Sequence, residues 1–124
     1  MNDNNIPDHE DFAKAKRLAG ERSRNLDAVN KSVMLHFKNK CPLHYFILLP
    51  QRNNEFWAGV FFISDEDVSM CDKNGVSDQI ESFVYAELER LGRGKREEIK
   101  VAFEFDSDEN VNRNFDGDYF FRLR

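Results

Sequence analysis

With 124 residues, 23 acids, 18 Lys and Arg and a net charge of −5, the chain fits one acidic domain large enough for a core without disulfides or metal. That balance argues against general nucleic-acid binding, which draws most of its affinity from phosphate neutralisation. With 40% apolar residues and twelve Phe, the chain is expected to fold rather than stay disordered.

The first residues, Met1 to Asp8, have no basic lead and no apolar centre, so they do not read as a signal peptide. They are expected to be flexible, at the start of a single domain spanning 1–124. The longest apolar run, Tyr45 to Leu49, is far too short to span a bilayer. Cys41 and Cys71 fit no CxxC spacing, and the expectation is two reduced thiols in a cytoplasmic protein. Charge is uneven: residues 1–13 carry −4, residues 14–40 carry +6 and residues 41–124 carry −7.

Residues 9–38 read as helical. Phe12, Ala15, Leu18 and Ala19 recur at helical spacing, as do Leu26, Val29, Val33 and Phe37. Gly20 and the polar residues 23–25 divide the stretch into a helix pair, with Asp27 as a candidate cap of the second helix. Leu43–Leu49 and Phe56–Ser64 read as a hairpin, joined by Pro50-Gln-Arg-Asn-Asn-Glu55, where Asn53 and Asn54 tolerate positive φ. Both strands are apolar on both faces, so the sheet is expected to be covered twice.

Asp65–Gly75 reads as an acidic connector, with a short strand at Val68–Cys71. A helix then starts at Ser77-Asp78, with Ile80, Phe83, Val84, Leu88 and Leu91 along one side. Asp78 and Glu81 resemble a capping box, and Gly92 and Gly94 end the helix. Ile99, Val101, Phe103 and Phe105 alternate with Lys100, Ala102 and Glu104 as a strand buried on one face. Asp108–Asn114 reads as a helical turn capped by Asp106 or Ser107. Tyr119, Phe121 and Leu123 alternate as a terminal strand. The order is that of an α+β domain, with a mainly antiparallel sheet of about four to five strands. An N-terminal helix or helix pair and one central helix pack on that sheet.

No P-loop, GxGxxG, HExxH, GxSxG or zinc-spaced Cys/His cluster is present. His9, His36 and His44 are scattered, and Cys71 with His44 and an acid is the least implausible catalytic set. Asp106-x-Asp108-x-Asn110 opens like a calcium loop, but Val111 and Gly117 stand where the turn glycine and the bidentate glutamate belong. The chain is therefore expected not to be an enzyme and to hold no cofactor or metal.

The remaining signal is acid. Asp65, Glu66 and Asp67 follow one strand, and Asp106, Asp108, Glu109, Asp116 and Asp118 follow another, with Phe115 among them. Hydrogen-bonding groups around an aromatic anchor have the make-up of a binding hot spot. The ending Phe103-Glu-Phe-Asp-Ser-Asp-Glu-Asn-Val, followed by Asp118-Tyr-Phe-Phe-Arg-Leu-Arg124, resembles the small bacterial immunity proteins of contact-dependent growth inhibition and other polymorphic toxin systems. Size and acidic balance agree with that likeness. The resemblance implies a cytoplasmic protein that binds and neutralises a cognate toxin domain with a basic surface, typically a nuclease. It implies no direct nucleic-acid or membrane partner.

The nine residues Asp65, Glu66, Asp67, Asp106, Asp108, Glu109, Phe115, Asp116 and Asp118 are the expected partner contacts. The free protein is expected to be a monomer or weak homodimer. A self-associating structural or regulatory domain is the alternative reading.

Overall fold

The computed structural model describes residues 26–52 and 54–123. The expected flexible lead at 1–8, the expected first helix of the pair and Asn53 lie outside the described residues. Residues 26–37 form α1, and Asp27 lies within this helix rather than ahead of it. Next come β1 (Leu43–Pro50), β2 (Glu55–Phe62), α2 (Asp65–Lys73), α3 (Val76–Arg90), β3 (Lys100–Ser107), α4 (Asp108–Phe115) and α5 (Tyr119–Arg122).

The described strands form one sheet in the order β1-β2-β3. β1 and β2 are the expected antiparallel hairpin, with Phe46 opposite Val60 and Leu48 opposite Ala58. Asn54 does not use a left-handed turn; among described non-glycine residues only Asp116 has positive φ.

β3 corrects the expected fold, because it pairs parallel to β2, with Val101 beside Phe56 and Phe105 beside Val60. The sheet is therefore mixed and three-stranded, not an antiparallel sheet of four to five strands. The physical reason is the crossover. Parallel neighbours need a connection of a dozen residues or more, and residues 63–99, holding α2 and α3, supply it.

Two segments read as strands are helices. Val68–Cys71 belongs to α2, whose N-terminus is fixed by a reciprocal capping box: the Ser64 hydroxyl accepts the Asp67 N–H, and Asp67 accepts the Ser64 N–H. The terminal segment turns into α5, because the Asp118 carboxylate accepts the Phe121 N–H at 3.0 Å. The central helix begins earlier than expected, after left-handed Gly75, so Asp78 sits in its first turn rather than at its cap.

The core lies on one face of the sheet. Leu26, Val29, Val33 and Phe37 of α1 and Ile80, Val84 and Leu88 of α3 pack on Phe46, Leu48, Phe56, Ala58, Val60 and Phe62. The opposite face carries Tyr45, Trp57, Gly59 and Phe61. There Tyr119 of α5 packs edge-on, with ring centroids 5.2 Å from Tyr45 and 5.1 Å from Phe61. Cover on this side is partial, and Leu49 stays exposed. Gly59 is required by its neighbour, since a Cβ there would stand 2.8 Å from the Trp57 indole.

Candidate functional site

Because β2 and β3 run parallel, their C-terminal ends meet, and the helices that follow both begin with acids. Asp65, Glu66 and Asp67 fill the first turn of α2; Asp108 and Glu109 fill that of α4. Negative charge at a helix N-terminus is stabilised by the backbone dipole, which gives a local reason for acids at these positions. Ser107 ends β3 and caps α4, accepting the Asn110 N–H at 2.9 Å.

The two helix starts are bonded to each other. The Ser107 hydroxyl donates to Asp65, and Arg113 Nη2 donates to Asp65 Oδ2 at 2.9 Å. The Asp65 N–H donates to Glu109 Oε1 at 2.9 Å. The Ser107 hydroxyl and then the Arg113 guanidinium hold the Asp65 carboxyl below the usual carboxylate range.

A second knot lies across the sheet. Arg122 Nε donates to Asp106 Oδ2 at 2.7 Å, and its Nη2 donates to Glu104. Asn110 Nδ2 donates to Asp106 at 3.0 Å. The Tyr119 hydroxyl donates to Asp108 Oδ1 at 2.6 Å, and His44 Nε2 stands 3.3 Å from the same oxygen. Burial, then the bond to Asp108, raise the Tyr119 phenol pKa above its ordinary value.

The nine expected contact residues therefore divide in two. Asp65, Asp67, Asp106, Asp108 and Glu109 are brought together as a hydrogen-bonded framework, and part of their charge is matched by Arg113 and Arg122. Glu66, Asp116 and Asp118 are exposed outside that framework. Asp118 uses its carboxylate as a cap, whereas Glu66 and Asp116 have no side-chain hydrogen bond among the described residues. Asp116 is held outward by its left-handed backbone at the end of α4, φ 52°. Phe115 is half-buried between the Phe121 ring, at 6.0 Å, and the Arg122 guanidinium, at 5.6 Å.

Arg113, Arg122, Tyr119 and His44 complete the arrangement, and nothing in their sequence spacing marks them as partners of these acids. The exposed aromatics at this end are Phe120 and Phe121, 75% and 57% accessible. Their signal in the sequence was the Asp118 cap directly before them.

The alternative catalytic set finds little chemical support. Cys71 is 2% exposed, and burial, followed by the charges of Cys41 and Asp67, pushes its thiol up to about 11. A thiol of that acidity is a poor nucleophile at neutral pH. Despite the many acids, no group of three or more His, Cys, Asp or Glu able to hold a metal occurs among the described residues. No described helix is long and apolar enough to cross a membrane.

Comparison with known protein families, with curated proteins and with solved structures found no match.

Proposed function

We propose that the chain is a cytoplasmic protein-binding module that neutralises a cationic partner, acting as an immunity protein does on a toxin domain with a basic cleft. The observation that carries this reading is the division of the acids. Asp65, Asp106, Asp108 and Glu109 are consumed in fixing α2, α4 and α5 to the sheet end, and that framework leaves Glu66, Asp116 and Asp118 exposed. Preorganised exposed carboxylates lose little conformational freedom on meeting a basic surface, and their field speeds encounter. Phe121, exposed beside them, supplies an apolar anchor of the kind that dominates interface energies.

The partner-facing set in this reading is narrower than the acids alone suggest. Glu66, Asp116 and Asp118 make contact, while Asp65, Asp67, Asp106, Asp108 and Glu109 position them. The test starts from the neighbouring genes: where one encodes a large secreted protein, its C-terminal domain is co-expressed with this chain. Co-purification and suppression of that domain's toxicity are expected. Unabated toxicity and separate elution would overturn the reading.

A further inference from the structure

The two edges of the sheet differ. On β1, Gln51 donates its N–H to the Glu55 carbonyl at 2.9 Å, so by strand parity Phe46 and Leu48 direct their backbone groups away from β2. α1 closes that edge: Asn30 Oδ1 accepts the Leu48 N–H at 3.0 Å, and Phe46 and Leu48 are each 2% exposed.

β3 is open. Lys100 donates its N–H to the Asn54 carbonyl at 2.9 Å, which turns Lys100, Ala102, Glu104 and Asp106 toward β2 and Val101, Phe103 and Phe105 outward. The Tyr85 hydroxyl takes the Val101 N–H at 3.0 Å. The outward N–H and C=O groups of Phe103 and Phe105, and the Val101 carbonyl, have no hydrogen-bond partner among the described residues. The rings of Phe103 and Phe105 stack 6.2 Å apart and are only half-buried. Such an edge is a template for another strand.

We propose that β3 pairs antiparallel with β3 of a second copy of this chain, about a two-fold axis at Phe103, joining the two sheets into one. The sequence Lys100-Val-Ala-Phe-Glu-Phe-Asp106 is self-complementary in that register. Phe103 exchanges both backbone bonds with its counterpart, and the Phe105 N–H reaches the Val101 carbonyl of the second copy. On the helix-covered side Val101 faces Phe105; on the other, Lys100 faces Asp106 and Glu104 faces Ala102. Opposite charges and apolar pairs across strands are the stabilising combinations.

Neighbouring registers are worse. An axis at Phe105 sets Glu104 against Asp106, and one at Glu104 sets that carboxylate against its own counterpart. With β1 closed by α1, the pairing has nowhere to continue, so the assembly stops at a closed dimer.

The test is sedimentation velocity together with backbone amide exchange by NMR, from micromolar to millimolar protein. A dimer is expected in which exchange at Phe103 and Phe105 slows as concentration rises. Lys100→Glu, an exposed position, is expected to weaken it about tenfold, the change that about 1.4 kcal/mol produces. A monomer throughout overturns the proposal. So does a dimer that protects other amides, or protection of Phe103 and Phe105 that is the same at every concentration, as cover from within one chain would give.

Discussion

Arg122 Nε stands 2.7 Å from Asp106 Oδ2, with both side chains only about one-seventh exposed. This bond ties the last helical turn to the penultimate residue of β3, and it decides how the acidic end is built. The guanidinium, fixed also by Glu104 and lying 5.7 Å over the Phe61 ring, holds α5 against the open face of the sheet. Without it, Asp106 would keep a largely buried carboxylate with no guanidinium hydrogen-bonded to it.

Arg122→Ala is accordingly expected to lower stability by about 2 kcal/mol, between the cost of a lost charge-assisted bond and that of an uncompensated buried charge. Urea denaturation measures this directly. Arg122→Lys retains the charge but not the fork and should lose less. Equal stability of all three proteins would show that α5 is not held by this contact.

The Tyr85 hydroxyl accepts the Val101 N–H in a buried setting. Tyr85→Phe leaves that donor unsatisfied while preserving the ring, so a loss of about 1–2 kcal/mol is expected. Amide exchange at Val101 should speed up more than at its neighbours. Unchanged exchange there would mean that another group satisfies the amide.

The depressed Asp65 carboxyl makes a pH prediction. Its folded value lies below its unfolded one, so ionised Asp65 favours the folded state above the ordinary carboxylate value of about 4. That contribution is lost as pH falls from there toward the depressed folded value. Asp65→Asn lacks this contribution, so it should be less stable near neutrality, with a shallower acid limb over this window and a smaller gap from the parent protein as pH falls. Urea midpoints across the acid range check it, and parallel curves for the two proteins would contradict it.

The hairpin was legible because its strands are long apolar runs broken by a Pro-Gln-Arg-Asn-Asn turn, and α3 because Ile80, Val84 and Leu88 keep helical spacing. α2 was not. Its sequence Asp-Glu-Asp-Val-Ser-Met-Cys-Asp-Lys buries Cys71 alone, so almost no apolar stripe marks it, and only the Ser64–Asp67 capping pair betrays a start. α5 was misread because Tyr-Phe-Phe-Arg has strand propensity, which the Asp118 cap and the Arg122 anchor override. β3 was visible as a strand, but its direction depends on how far residues 63–99 carry the chain, which alternation cannot encode.

The candidate site shows the same limit. The clustering of acids could be read from composition, whereas their partners could not. Asp65 and Arg113 are 48 positions apart, and Asp106 and Arg122 are 16. Only folding shows which carboxylates are occupied and which face out.

The most direct measurement is calorimetric titration of the protein with a toxin domain recovered by that co-expression, in low and moderate salt. The protein is compared with a Glu66→Lys, Asp116→Asn double variant, in which neither change touches the Arg113 or Arg122 bonds. Tight binding that weakens with salt, and a further loss of about tenfold in the variant, is the predicted result. Undiminished affinity in the variant at either salt concentration would contradict docking through the outward acids.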